Sequence, residues 1–284
     1  MTAPGGGSPI VSADAGGRLL PIAWDRMPWW ILVLAVAGIA AAAGIAGSTL
    51  YRDTLAFLWD GVLLTLQLTL GAYVLALAFG LAAGLMRLSR HPALHTIGTL
   101  YVEVIRGVPL LVLLIYIAFV AAPVLSGALA GAARAAGFPG VAAVITGLIR
   151  SDINRAVLGL AIGYGAYLAE IYRAGIEAVP RGQVEAARSL GLSSRQAMRH
   201  VVLPQAFRII LPPLGNEFIA LLKDSALASA IAVPELTQAG RLLSARTFRA
   251  FETYNMVALL YLLMTLIGSM GVRLLERWAR AGRV

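Results

Sequence analysis

The residues best placed to do chemistry in this 284-residue chain are acids and bases set inside apolar runs. Glu170 and Arg173 stand one helical turn apart in the run 155–178, and Asn216, Glu217, Lys223 and Asp224 follow closely on one another further along. An ionisable group in a membrane-like segment is costly and marks a candidate pathway by default. What these groups offer is recognition: a carboxylate for an ammonium, a guanidinium or ammonium for a carboxylate. For Glu170 and Arg173, a structural pair near a membrane interface is an equally open reading. Bond-making chemistry has no support. No nucleophile–base pair is visible, so no catalytic residue is assigned. His91, His95 and His200 lack paired ligand spacing with carboxylates, and cysteine is absent, so no metal site or disulfide framework is expected. The only lysine, Lys223, precedes Asp224. A phosphate-binding loop needs Gly-Lys-Ser or Gly-Lys-Thr, so the chain has none and binds no ATP of its own.

The elements that must position these groups are apolar helices. Hydrophobic residues make up 59% of the chain and charged residues 13%, against about 25% charged in soluble domains. The fold class is therefore all-α, a polytopic membrane protein with about six transmembrane helices. Residues 1–28, rich in Gly, Ala and Pro, read as a mobile tail and not as a secretory signal. Trp29 and Trp30 suit an aromatic belt at the start of a first span, 29–48. Residues 49–60 read as a short loop carrying Arg52, Asp53 and Asp60. The second span, 61–86, exceeds a ~30 Å hydrocarbon core and must tilt or protrude. Its Gly80 and Gly84 form a small-xxx-small step for close helix contact, and Thr65, Gln67 and Thr69 suit hydrogen bonds to a neighbouring helix, with a pathway role as the alternative. A third span covers 101–122, opening with Glu103 and Arg106 spaced to pair on one face. Residues 123–152 read as an Ala/Gly-rich loop whose apolar piece 140–149 is too short to span. After span 155–178, helix 207–222 is interrupted by Pro212-Pro213, and 225–236 is a partial helix or a re-entrant segment. The last span is 254–274.

Between the fourth and fifth spans lies 179–204, VPRGQVEAARSLGLSSRQAMRHVVLP. Pro180 suits the first turn of a short helix that ends near Leu190, with Gly191 as its left-handed stop. Ser193 and Gln196 spell a capping box for a second helix, and Pro204 closes the unit. Arg181–Glu185 and Glu185–Arg188 would be weak exposed pairs.

The spacing Glu185-Ala186-Ala187, then Gly191, then Val201, Leu203 and Pro204, resembles the E-A-A loop of ABC-transporter permease subunits, with Val201 where isoleucine is usual. The strings from Glu103 to Leu111, Ala166 to Arg173, Asn216 to Ser225, Thr247 to Arg249 and Phe251 to Tyr254 resemble the subfamily importing polar amino acids. The resemblance spans about 61–275. It implies a five-helix type I importer core, with 29–48 as an added helix. It implies a coupling helix that docks on a separate ABC ATP-binding subunit, which uses the ATP and Mg. Glu185, Ala186, Ala187, Gly191, Leu203 and Pro204 would form that contact. It also implies a second permease, identical or paralogous, and an extracytoplasmic substrate-binding protein. Its substrate would be a polar L-amino acid of the glutamate, glutamine, histidine or arginine class. For such a zwitterion, Glu170, Glu217 and Asp224 could meet the ammonium, and Arg173, Lys223 or helix ends the carboxylate.

The net charge of +9 fits arginines along one membrane face and not a nucleic-acid partner, for there is no interleaved basic-aromatic patch. With six spans and both termini cytoplasmic, 15 of the 23 Arg/Lys lie inside and eight outside. This puts Glu185 in the cytoplasm of a cell whose inner membrane holds the chain and supplies its lipid. The competing reading is an ion-gradient carrier that needs no ATPase.

Overall fold

The computed structural model describes residues 47–281 together with Gly38 and residues 43–45, with side chains to residue 277. The expected tail 1–28, and most of the added span 29–48 with Trp29 and Trp30, lie outside the described residues. No strand occurs among the described residues.

Helix α1, Thr49–Arg87, absorbs the segment 49–60 that the sequence suggested as a loop. No proline interrupts it, and the Thr54 hydroxyl donates to the Leu50 carbonyl at 2.8 Å inside the added turns. Its 39 residues rise about 58 Å at 1.5 Å each.

The expected third span is two helices. Helix α2, Pro92–Gly107, ends where Val108 turns extended at φ −108° and ψ 136°. Pro109 is the cause, because a proline disfavours helical backbone in the residue before it. Helix α3, Leu110–Ala135, then runs on through a π-helical turn at Ile117–Ala121. Gly137, at φ +83°, reverses the chain into α4, Pro139–Arg150. Residues 123–152 are therefore a helical hairpin rather than a loop. Ala122, Ser126 and Ala130 of α3 and Ala142 of α4 are its buried residues. Alanine is the best helix former, so small-residue composition did not mean irregular structure.

Helix α5, Asp152–Glu177, leads into α6, Arg181–Ser189. Helix α7, Ser194–Ala197, passes through a π-helical turn at Met198–Val202 directly into α8, Leu203–Asp224. Pro204 thus does not close the unit. The π turn pairs the Leu203 N–H with the Met198 carbonyl, and Pro204 enters one residue later, in a first turn that tolerates its missing donor. Nor does Pro212-Pro213 break α8. Ile210 and Leu214 flank the pair, both buried, and the Tyr73 hydroxyl of α1 donates to the Leu214 carbonyl at 2.7 Å. Tertiary packing here overrides propensity. A 3₁₀ segment, Ser225–Ile231, is the partial helix among the two alternatives for 225–236. Helices α9, Leu236–Thr247, and α10, Ala250–Ala281, complete the chain.

Glycine pairs set the helix order. A methyl group on Gly80 would approach Leu168 Cβ to 2.6 Å, and one on Gly84 the Ala169 carbonyl to 2.9 Å, so α1 lies parallel against α5 through the small-xxx-small step. Gly159 and Gly163 receive Leu114 and Leu110, making α3 antiparallel to α5. Gly215 faces Val272 while Gly268 faces Ile219, making α8 and α10 antiparallel. Leu68, Leu114, Leu160, Leu168 and Leu221 fill the core between these helices. By length and composition, Thr49–Arg87, Leu110–Ala135 and Ala250–Arg277 can cross a membrane.

Candidate functional site

Two sites share this scaffold. The first is the exposed unit α6–Gly191–α7. Helix α6 ends in a paired C-terminal motif: the Leu192 N–H donates to the Ala187 carbonyl at 3.2 Å and the Gly191 N–H to that of Arg188 at 3.0 Å. Gly191 sits at φ +88°, the left-handed region that favours glycine. Ser193 and Gln196 form the reciprocal cap. The Ser193 N–H donates to Gln196 Oε1 at 2.8 Å and the Gln196 N–H to Ser193 Oγ at 3.3 Å. Gln205 of α8 donates to Gln183 at 2.6 Å, clamping the far end of the unit to α6.

Within it, Glu185, Ala186, Gly191, Leu203 and Pro204 are exposed, whereas Ala187 is buried against its own chain. Ala187 thus presents no face to a partner. Neither Arg181 nor Arg188 pairs with Glu185, which has no ion-pair partner among the described residues. Leu190, the residue that caps the C-terminal end of α6, is 82% exposed.

The second site is polar and partly buried. Glu170 is held by Arg173 of its own helix and by Arg87 from the end of α1, and Arg173 also binds Glu177. These groups join α1 to α5 next to the α5–α6 turn. Glu103 and Arg106 do not pair. Arg87 lies 3.8 Å from Glu103, and Arg106 stacks 5.4 Å from the centre of the Tyr167 ring. The i,i+3 spacing allowed their pairing, but better partners on α1 and α5 take both.

On α8, Glu217 and Asp224 lie two helical turns apart on one partly buried face, and Asn216 and Lys223 repeat that spacing on an exposed one. The Tyr164 hydroxyl of α5 donates to Asp224 Oδ2 at 2.8 Å. Glu170 and Arg173 are thus brought together with each other but not with the α8 group.

A third polar cluster gathers around Glu235, outside the residues singled out from the sequence. Glu235, 0% exposed, caps α9. It accepts from the backbone N–H groups of Thr237 and Gln238, each at 2.9 Å, and from the Tyr261 hydroxyl of α10 at 2.7 Å. Alongside, the Leu236 N–H donates to the Thr65 hydroxyl of α1 at 3.1 Å, the inter-helix bond expected of that residue. Glutamate three residues before a Gln at a helix start was the available clue.

Residues 76–281 match the family described as binding-protein-dependent transport system inner membrane component. The chain belongs to this family. A probable glutamine ABC transporter permease, GlnM of Bacillus subtilis (strain 168), is 36% identical over 79% of this chain and 94% of its own length. The glutamine transport system permease GlnP of Escherichia coli (strain K12) is 36% identical over 77% of this chain and 90% of its length. Among solved structures, an amino acid ABC transporter crystallised with histidines aligns with TM-score 0.66 and 38% identity, over 80% of this chain and 95% of that one. An inward-facing methionine transporter, at TM-score 0.63 and 21% identity over 80% and 98%, shares the fold. The family member described here is thus an ABC permease subunit of the inner membrane.

Proposed function

We propose that this permease imports polar L-amino acids, of the glutamate, glutamine, histidine or arginine class, by alternating access driven by a separate ABC ATP-binding subunit. The observation that carries the reading is the exposed α6–Gly191–α7 unit. Its Glu185 is rigidly mounted yet has no ion-pair partner, as an intermolecular contact requires. The substrate class rests on the names of the relatives and on the carboxylates and amine of α8.

In this reading the chain pairs with a second permease, identical or paralogous, and an extracytoplasmic binding protein delivers the amino acid. Both termini and Glu185 are cytoplasmic, as the excess of arginine on that side supports. ATP closure of the partner subunits draws the coupling units together. Through the Gln205–Gln183 clamp and the π turn, that displacement reaches α8 without a flexible joint. A packed bundle answers by switching between two arrangements. Glu185, Ala186, Gly191, Leu203 and Pro204 supply the docking surface, with Ala187 seated beneath. Asn216, Glu217, Lys223 and Asp224 line the substrate route. Glu170 and Arg173 serve the bundle's inner end.

Uptake of a panel of labelled amino acids into vesicles holding the co-expressed complex, with and without internal ATP, tests this. ATP-dependent uptake of one polar class is the expected result. Uptake that ignores ATP and follows an ion gradient would establish the carrier reading instead.

A further inference from the structure

We propose that the groove between α1 and α2 holds an acyl chain of an anionic membrane phospholipid, its phosphate seated on the basic turn that joins the two helices. The groove is a cavity of about 480 Å³, within the ~300–1,000 Å³ range of ligand sites. Phe79, Ala82 and Met86 of α1 and Ile97, Tyr101 and Ile105 of α2 line it. The one hydroxyl among them, that of Tyr101, is already committed to the Ile162 carbonyl at 2.7 Å. Nothing free in the wall can bind a polar solute, so the occupant is hydrocarbon.

The mouth has the opposite character. Arg90 and His91 are exposed in the turn at its end, and His95 is exposed in the first turn of α2. The stem of Arg87 passes Gly98, whose missing side chain would otherwise meet Arg87 Cγ at 3.1 Å. Arg87 engages Glu170 and Glu103 through its terminal nitrogens, while its Nε, buried, has no hydrogen-bond partner. Arg87 is therefore committed within the protein, whereas Arg90 is exposed and has no ion-pair partner among the described residues, so it is the cation open to a phosphate oxygen. The groove lies at the end of α1 that carries the α5–α6 turn, the cytoplasmic end in the reading above, and the cytoplasmic leaflet is the anionic one. An apolar slot below a basic collar thus matches a phospholipid in both halves. A bound lipid there would brace α1 and α2 against the Arg87–Glu170 junction.

The test uses the full-length permease with its ATPase subunit in phosphatidylcholine nanodiscs. These are doped with phosphatidylglycerol bearing a photoreactive group on its acyl chain, or with the same probe on phosphatidylcholine. Cross-linked peptides are mapped by mass spectrometry. The glycerol lipid is expected to label 79–86 and 97–105 about fivefold more than the choline lipid, and R90Q to remove that preference. A82F, which fills the slot, should lower labelling by both. Because A82F could disturb packing, the exposed R90Q keeps the test decisive. Equal labelling by both probes, unmoved by R90Q, would mean bulk lipid only and overturn the proposal. So would disulfide-linked permease dimers formed through I97C, since a second copy would then cover the groove. None of these readouts depends on the transported substrate.

Discussion

The Tyr164 hydroxyl donates to Asp224 Oδ2 at 2.8 Å, joining the middle of α5 to the last residue of α8. The tyrosine is 3% exposed, so the bond is made away from bulk water, yet Asp224 keeps a partly open face. That leaves the carboxylate oriented by protein on one side and available on the other. Y164F should lower stability in detergent by about 1.5 kcal/mol, the low end for a hydrogen bond to a charged group. D224N should lower uptake about tenfold or more while costing less stability, because in the proposed reading it also removes a substrate contact. Thermal unfolding and uptake kinetics of the two variants separate the roles. Equal uptake by D224N and the wild type would remove Asp224 from the substrate route.

The α1–α5 seam gives a packing prediction. G80A places a methyl 2.6 Å from Leu168 Cβ and 3.0 Å from the Gly165 carbonyl. Two backbones cannot both stay put, and overpacking of this kind costs about 1–3 kcal/mol. G71A, whose methyl would meet only Val157 at 3.8 Å, should be neutral or slightly stabilising. Comparing their melting temperatures checks whether the seam is as tight as described.

That seam was readable in advance, because glycines four apart in an apolar helix have few other uses. So were Gly191 and the Ser193–Gln196 cap, which are local motifs whose partners lie within a few residues. The misreadings share a cause of the opposite kind. Pro212-Pro213 looks like a break until Tyr73, 141 residues distant from Leu214, packs beside it. The hairpin of α3 and α4 looked like a loop because its core is made of alanines. Arg106 was assigned to Glu103 since only neighbours in sequence were visible, and the Tyr167 ring was not. Glu235 carries no local signal of its role between helices, for that role depends on Tyr261 on another helix.

Glu235 therefore carries a prediction of its own. E235A would strand the N–H groups of Thr237 and Gln238 beside a buried site, and would leave the Tyr261 hydroxyl only the Thr237 hydroxyl at 3.0 Å. At about 1–3 kcal/mol for each unsatisfied N–H, the loss is a large part of the stability of a typical domain. E235A should fail to accumulate in the membrane, whereas E235Q, which keeps one acceptor oxygen, should accumulate at reduced yield. Quantitative blotting of membrane fractions decides this. Normal levels of E235A would show that water or Gln238 replaces the carboxylate.

The coupling unit yields the sharpest contrast between folding and function. Glu185 is exposed and has no ion-pair partner among the described residues. E185K should thus leave stability within about 0.5 kcal/mol, as for a surface position free of special features. It nevertheless reverses the charge at the centre of the proposed contact, and ATP-driven uptake should be abolished with loss of the co-purified ATPase subunit. G191A isolates geometry from charge. No atom stands within 4 Å of the added methyl, so only the φ of +88° opposes it, at about 1–2 kcal/mol. That strain falls on the joint between α6 and α7, and uptake should drop while both helices persist. Co-purification and uptake measured side by side distinguish a lost contact, as in E185K, from a misaimed one, as in G191A. Normal uptake in E185K would end the docking role of this residue.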